Sequence, residues 1–286
     1  MSRIAHRKLN RSVGSSILVF SIVGLFAGFM LVPMVYAVSS SLKPLNELWI
    51  FPPRILVMNP TLKNFNDLFN LMSDSWVPFS RYIFNTLFIS VCGTFGHVIL
   101  ASMCAYSISK LKFRGSRVVF RIIVYSLMFS ASVTAIPNFM IITRLHLIDN
   151  YLAIILPAFA APLGLYLMKQ FMETMIPDTL LEAARIDGAH EGRIFLLIVM
   201  PIIKPAWLTL IIFSCQALWN SGSNLYIQSE QLKTLNYAIS QILAGGIARA
   251  GVGAAAVVVM MILPILVFFF SQSNVVKTMS TSGLKE

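Results

Sequence analysis

Charge is what this sequence has least of. Only 12% of its 286 residues are Asp, Glu, Lys or Arg, while 57% are hydrophobic and mean hydropathy is +0.78. A soluble domain carries about 25% charged residues, so an ordinary soluble enzyme is excluded and an integral membrane protein is expected. Acidic residues are scarcest: 11 Asp and Glu stand against 22 Lys and Arg, a net charge of +11. In a soluble chain that excess would suggest nucleic acid. In one this apolar it reads as cations gathered on the cytoplasmic side of a lipid bilayer, and no nucleic-acid partner is expected. Cysteine is nearly absent, and Cys92, Cys104 and Cys215 lie in apolar stretches with no neighbour at metal-ligand spacing. Cys92 and Cys104 would be roughly 18 Å apart along one helix, too far to bridge. No metal site is expected. There is no Gly-Lys dipeptide, so no phosphate-binding loop of the G-x-x-x-x-G-K-[ST] type exists and the chain has no nucleotide-hydrolysing site of that kind. Paired Asp residues or His-Glu clusters are missing from the apolar segments, so no catalytic residues are assigned.

Apolar runs are what the sequence has in abundance. A bilayer core needs about 20 mostly apolar residues per helix. Six segments meet this, approximately 15–38, 83–106, 117–136, 150–170, 195–218 and 252–272. The first is preceded by Arg3, Arg7, Lys8 and Arg11, and Val35-Tyr36-Ala37 resembles a signal-peptide cleavage site. The run from Ile17 to Val38 nevertheless exceeds the roughly 7–15 residues of a signal core, so a retained membrane helix is expected.

With the N-terminus inside, fifteen basic residues fall on the cytoplasmic side and seven outside. The cluster Lys110, Lys112, Arg114, Arg117 and Arg121 between the second and third spans is the strongest single indicator of orientation. Both termini are then cytoplasmic, including a short polar tail at 277–286. Residues 39–82 form a long external loop whose five prolines favour turns over a further span, with Trp49 and Trp76 as interface markers. A second external stretch covers 219–250.

One cytoplasmic loop runs against the charge trend. Residues 171–200 read FMETMIPDTLLEAARIDGAHEGRIFLLIVM, in which Glu173, Asp178, Glu182, Asp187 and Glu191 outnumber Arg185 and Arg193. Pro177 with Asp178 or Thr179 predicts a helix start. Leu180, Ala183, Ala184 and Asp187 follow at helical spacing, and Gly188 is placed to end the helix. A second short helix is expected from about His190 into the fifth span, interrupted at Pro201. Ala183, Ala184 and Gly188 would admit another backbone closely, and Glu182 is positioned to pair with Arg185 or with a partner's cation. Spacing alone equally fits a solvated amphipathic linker.

The same residues resemble a family signature. Glu182-Ala183-Ala184, three residues, Gly188, nine residues, Ile198, one residue, then Met200-Pro201 is similar to the EAA loop of ABC importer permeases, EAA-x3-G-x9-I-x-L-P. Met200 replaces the family's Leu with a flexible apolar residue of similar volume. The extended run Glu182 to Ala189 resembles the carbohydrate-uptake branch, the relatives of the smaller maltose-type permease subunit. Further similarity lies in Ser41-Leu42-Lys43-Pro44, Pro52-Pro53, Thr61-Leu62-Lys63-Asn64-Phe65, Asn85-Thr86 and Trp219-Asn220. The chain departs from the family at Ser221-Gly222-Ser223-Asn224-Leu225-Tyr226, where an acidic or bulky residue and a Pro-Leu pair often stand.

The resemblance implies an all-α membrane protein of the type I ABC importer permease fold, with six transmembrane helices and a cytoplasmic EAA coupling helix. It implies a subunit that forms half a translocation path for a sugar or oligosaccharide. It further implies a second, similar permease, two ATPase subunits that bind ATP and Mg, and an extracellular solute-binding protein. Among such permeases the overall run of the chain is most similar to those for complex, pectin-derived oligosaccharides. Glu182, Ala183, Ala184, Asp187, Gly188 and Pro201 would then couple to the ATPase. The C-terminal tail would reach toward the ATPase dimer, with a frayed end as the alternative.

Transport-path candidates are the polar and aromatic residues in or near the spans: Asn85, His97, Gln216, Trp219, Asn220, Asn224 and Tyr226. Each has a structural alternative: an interhelical bond for His97, a helix cap for Asn220. Gly24-x-x-x-Gly28 reads as a packing face. A secondary transporter or channel, the rival reading, would bury ionisable residues near the midplane. Here His97 is the main such residue.

Overall fold

The computed structural model describes residues 13–73, 77–222, 225–246 and 249–282. Among them every regular element is helical. Arg3, Arg7, Lys8, Arg11, Trp76, Asn224 and residues 283–286 of the tail lie outside the described residues.

Four helices or near-continuous helical runs are long and apolar enough to cross a membrane: Gly14–Leu42, Phe79–Leu111, Leu152–Met175 and Ala250–Phe270. Two further pairs qualify if each is counted as one bent span. These are Ser116–Ser126 with Ala131–Arg144, bent by 112°, and Glu191–Ile202 with Lys204–Trp219, bent by 79°. The stretches expected at 117–136 and 195–218 thus fall on broken helices. In the second pair Pro201 and Pro205 flank the break at Ile203. Each removes an N–H from the helical ladder, and Trp207 Nε1 donates to the Met200 carbonyl across the gap at 3.0 Å.

The chain divides into two compact units. The first holds residues up to Leu68 together with Gly246–Val258. Its helix α1 (Val13–Leu42) exposes apolar side chains all round. This is how a span looks when it faces lipid or another subunit. The connection that follows, through α2 (Leu45–Leu48) to the start of α3 (Lys63–Ser73), is packed on buried polar groups. Asn64 Nδ2 donates to the carbonyls of Ser41 at 2.8 Å and Lys43 at 2.7 Å. The Glu47 carboxylate accepts from the amides of Met58 at 2.7 Å and Asn59 at 3.3 Å. The Lys43 ammonium donates to the Arg54 carbonyl. Asn64 also lies so close to Gly251 that a Cβ there would sit 2.4 Å from its Oδ1.

The second unit, Phe69–Gly245 with Val259 onward, is organised on α4 (Phe79–Tyr106). α4 continues into a π-helical turn, Ser107–Leu111, then α5 (Ser116–Ser126) and α6 (Ala131–Arg144). The next span is α7 (Leu152–Phe159) with α8 (Pro162–Met175). After it come α9 (Asp178–Ile186), α10 (Glu191–Ile194), a second π-helical turn (Phe195–Val199), α11 (Met200–Ile202) and α12 (Lys204–Trp219). α13 (Leu235–Ala244) precedes α14 (Ala250–Ser282). One core joins Val98, Ala101 and Tyr106 of α4 to Met168 and Met172 of α8 and to Leu181, Ala184, Ile194 and Leu210. A smaller one at the other end holds Ile89, Ile154, Ile155, Leu218 and Ile227.

Candidate functional site: the acidic loop and the polar stripe of the second span

The acidic loop folds as local chemistry dictates. Pro177, extended at ψ 138°, precedes α9, and Asp178 occupies the first turn. At the other end the Ala189 amide bonds the Ala184 carbonyl and the Gly188 amide bonds the Arg185 carbonyl, both at 3.0 Å. With Gly188 at φ +81° this is a complete Schellman stop, which favours glycine because an L side chain is strained there. His190 then caps α10, its Nδ1 accepting from the Arg193 amide at 3.2 Å. Phe195, the first residue of the following π-helical turn, packs on Tyr106 with ring centroids 5.5 Å apart.

The start of α9 is held by the end of the second span, and its end is linked to the same span through Glu191. Lys110 Nζ donates to Asp178 Oδ1 at 2.8 Å and to the Ile176 carbonyl at 2.6 Å, and Lys112 Nζ reaches Asp178 Oδ2 at 2.8 Å. These two ammonium groups hold the Asp178 carboxyl down to about 2. Arg185 Nε donates to Glu191 Oε1 at 2.7 Å, and the Tyr106 hydroxyl donates to the other oxygen of Glu191. The Glu191 carboxylate holds the Arg185 guanidinium above its ordinary value. Arg185 is therefore committed to Glu191, not to Glu182. Glu182 has no ion pair among the described residues.

The helix presents two faces. Leu181 and Ala184 are buried in the core, whereas Glu182, Ala183, Asp187 and Gly188 are exposed. Ile186 is 86% exposed, beside Leu180 at 39%. Pro201 lies at the far end of the signature, between the second π-helical turn and the break at Ile203. Lys110, Lys112, Tyr106, Asp178 and Glu191 were not singled out as a unit by the sequence reading. Their partners are 66–85 residues away, beyond any local pattern.

Of the path candidates, three are buried and spent on internal bonds. Asn85 Nδ2 donates to the carbonyls of Gln231 at 2.9 Å and Lys233 at 2.8 Å, and its Oδ1 accepts from the Tyr151 hydroxyl at 2.6 Å. His97 lies between three helices: Nε2 bonds the Ala161 carbonyl at 3.1 Å and Nδ1 the Ser214 hydroxyl at 2.7 Å. A carbonyl only accepts, so Nε2 carries the proton, and in the neutral ring Nδ1 then accepts from the Ser214 hydroxyl. Trp219 Nε1 donates to the Met260 carbonyl at 2.9 Å. Gln216 and Asn220 are exposed at the end of α12, where Asn220 Nδ2 turns back to the Gln216 carbonyl at 3.0 Å.

Tyr226 is half-buried and stacked on Phe139, centroids 6.4 Å apart. It belongs to a strap fastened by Asp149, whose carboxylate accepts from the amides of Gln228 and Ser229 and from the Ser229 hydroxyl. Those donors, the hydroxyl first, hold the Asp149 carboxyl below its ordinary value.

A further pair escaped the sequence reading. Ser90 and Thr94, one turn apart on α4, line an otherwise apolar cavity of about 470 Å³ with Trp207, Ile211 and Cys215. Both hydroxyls are buried with no partner among the described residues. With Thr86 and His97 they form a polar stripe along α4, a spacing visible in the sequence.

Comparison with known proteins places this geometry. Residues 97–281 match the family described as binding-protein-dependent transport system inner membrane component. The chain belongs to that family and is a transmembrane ABC importer permease subunit, a non-enzymatic component whose ATPase is a separate chain. Its setting is a cytoplasmic membrane that it crosses several times, in systems built from permease, ATPase and solute-binding components. An arabinooligosaccharides transport system permease protein of Bacillus subtilis is 27% identical, over 89% of this chain and 90% of the relative. A polygalacturonan/rhamnogalacturonan transport system permease protein of the same organism is 27% identical, over 94% and 97%. An sn-glycerol-3-phosphate transport system permease protein of Yersinia enterocolitica is 30% identical, over 71% and 73%. Among solved structures, a bacterial ABC transporter involved in the import of the acidic polysaccharide alginate matches with a TM-score of 0.77 at 24% identity. That match covers 92% of this chain and 98% of the other, and it shows the fold.

Proposed function

We propose that this permease subunit imports an oligosaccharide, with a complex, pectin-derived glycan as the favoured class. Two relatives whose names carry plant-polysaccharide fragments, each covering about nine-tenths of the chain or more, support that reading. The subunit pairs with a second, similar permease, two ATPase subunits that bind ATP and Mg, and one extracellular binding protein. Both of its termini face the cytoplasm, and residues 39–82 and 219–250 face outward, where the strap fastened by Asn85 and Asp149 meets the binding protein. Gln216, Asn220 and Tyr226, with Asn224, are the candidates left to touch sugar. Asn85, His97 and Trp219 hold the frame around them.

Coupling runs through α9. Glu182, Ala183 and Asp187 with Ile186 dock in the ATPase. Gly188 sets the exit of the helix, Ala184 seats it on the core, and Pro201 lies at the bend of the fifth span that moves with it. The observation that carries this assignment is an uncommitted Glu182 and an exposed Ile186 on a helix bonded to the second span at its start and linked to it through Glu191 at its end. The test is the reconstituted complex with a panel of oligosaccharides. Glu182→Lys is expected to leave the protein inserted and ATP hydrolysis measurable while uptake falls at least tenfold. Uptake at the wild-type rate would sink the assignment of this loop.

A further inference from the structure

The cations next to the coupling helix are more numerous than its acids require. A groove of about 520 Å³ opens where the end of α4 turns into α5 beside α8, and its walls combine Lys112, Arg117 and Lys169 with Ile108, Phe113 and Val118. The acids nearby are already neutralised. Asp178 is held by Lys110 and Lys112. Glu173, which lines the groove, lies 2.7 Å from Lys169 Nζ, itself 4.0 Å from the centroid of the Phe120 ring. Arg114, Arg117 and Arg121 have no carboxylate partner among the described residues.

Their setting is amphipathic. Arg117 and Arg121 are one turn apart, on one side of α5. Adjoining them on the exposed arc are Val118, 58% exposed, and Ile122, 62% exposed, while Phe120 faces α8 in a stack on Tyr166. This face asks two things of an occupant, anionic oxygens for the arginines and an apolar cover for the aliphatic strip. A bilayer boundary offers both at the right level, with phosphate oxygens for the guanidinium forks and acyl chain for the valine and isoleucine.

We propose that this groove and the adjoining face of α5 bind the phosphodiester headgroup of an anionic phospholipid of the inner leaflet. Arg117 and Arg121 engage the phosphate, Arg114 lies beside it, and Val118 and Ile122 pack on the acyl chain. The site sits beside Lys112, which holds Asp178, so a bound lipid would brace the same end of α4 that anchors the coupling helix. The proposal rests on the reading that places this end of α4 in the cytoplasm.

The test uses the full chain purified in detergent, with retained lipid measured by native mass spectrometry. Dioleoyl phosphatidylglycerol is compared with dioleoyl phosphatidylcholine. The wild type is expected to retain the anionic lipid at least tenfold more strongly, given about 1 kcal/mol for each basic residue near a charged lipid surface. The variant R114Q/R117Q/R121Q should lose that preference while keeping its melting temperature in the neutral lipid, and Arg144→Gln should change nothing. No preference in the wild type, or an unchanged preference in the triple variant, would overturn the proposal. So would displacement of the lipid by inorganic phosphate or glycerol phosphate, which marks a site for a soluble phosphate. If the preference vanishes once the ATPase assembles on the chain, the arginines belong to a protein interface and the lipid site is likewise overturned. Apart from that arm, lipid retention is read on the permease chain alone, so uncoupling or its absence in Glu182→Lys leaves it untouched. Labelling of Ser116→Cys by an impermeant thiol reagent in sealed vesicles tests the orientation separately.

Discussion

Asp178 is bonded by two lysines from the end of the second span, with Lys110 and Lys112 Nζ each 2.8 Å from a different carboxylate oxygen. Because Lys110 is 4% exposed and Asp178 is half-exposed, the pair fastens a surface helix to a buried anchor. Asp178→Asn is expected to cost about 0.5–1 kcal/mol, the range for solvent-screened pairs, and to speed amide hydrogen exchange across α9. The Asp178 carboxyl sits at about 2, below its unfolded value, so its contribution is present above roughly pH 4 and fades as pH falls toward 2. Wild-type exchange in α9 should therefore be flat, after correction for intrinsic rates, from pH 8 to 5. A protection step near pH 6 would contradict this.

Gly188 ends α9 at φ +81° with open space around its Cα. Substitution there is costly through backbone strain alone, about 1–2 kcal/mol for an ordinary L residue. Gly188→Ala should reduce uptake in the reconstituted complex several-fold without blocking insertion. Gly188→Asn, whose side chain tolerates the left-handed region, should recover most of the loss. Equal defects in the two variants would mean that bulk at the docking surface, not the helix stop, is what matters.

His97 needs the space that Gly164 leaves. A Cβ on Gly164 would lie 2.3 Å from His97 Nε2 and 2.8 Å from Leu210 Cδ1, and the imidazole is fixed by bonds on both nitrogens. Gly164→Ala should overpack this junction by about 1–3 kcal/mol, read as a lower melting temperature in detergent. The double variant Gly164→Ala/His97→Ala should melt above the additive expectation, since one change relieves the clash of the other. Strict additivity would show that the two residues do not share this contact.

The coupling loop was the most legible part of the sequence because its structure is local. Pro177 and Gly188 act through neighbours within five residues, and the helix begins and stops where they indicate, whereas the Asp178 carboxylate takes its bonds from Lys110 and Lys112, 66–68 residues away. The apolar spans were legible from hydropathy for the same reason. The partner of Arg185 was not. Glu182 at i−3 and Glu191 at i+6 were both within reach, and the turn at Gly188 brings the second one back. The 112° bend in the third span has no proline at its corner, Leu127 to Ser130, so no local signal marks it. Asn85 and His97 were visible as polar residues in apolar runs, but their partners lie 64–148 residues away. Contacts at that range are set by packing and cannot be told from ligand contacts by spacing.

That ambiguity is sharpest at Asn85, which closes the strap Tyr226–Leu235 onto the end of α4. Its amide satisfies two carbonyls and one hydroxyl while fully buried, and next to it the Thr86 hydroxyl accepts from the Leu235 amide at 2.8 Å. Asn85→Ala removes the amide from the Lys233 carbonyl and the Tyr151 hydroxyl, both part-buried, and leaves the Gln231 carbonyl with Arg81 Nε alone; a fully orphaned polar group costs about 1–3 kcal/mol. The variant should lower the melting temperature by several degrees and weaken every transported sugar equally through the loss of a formed outer face. Asn85→Asp should be worse than Asn85→Gln, because a carboxylate would face the carbonyls of Gln231 and Lys233 without a proton to offer. A residue that bound sugar would behave otherwise: half-saturation for one substrate would rise while the melting temperature stayed put. Measuring both quantities on the same three variants decides between frame and ligand.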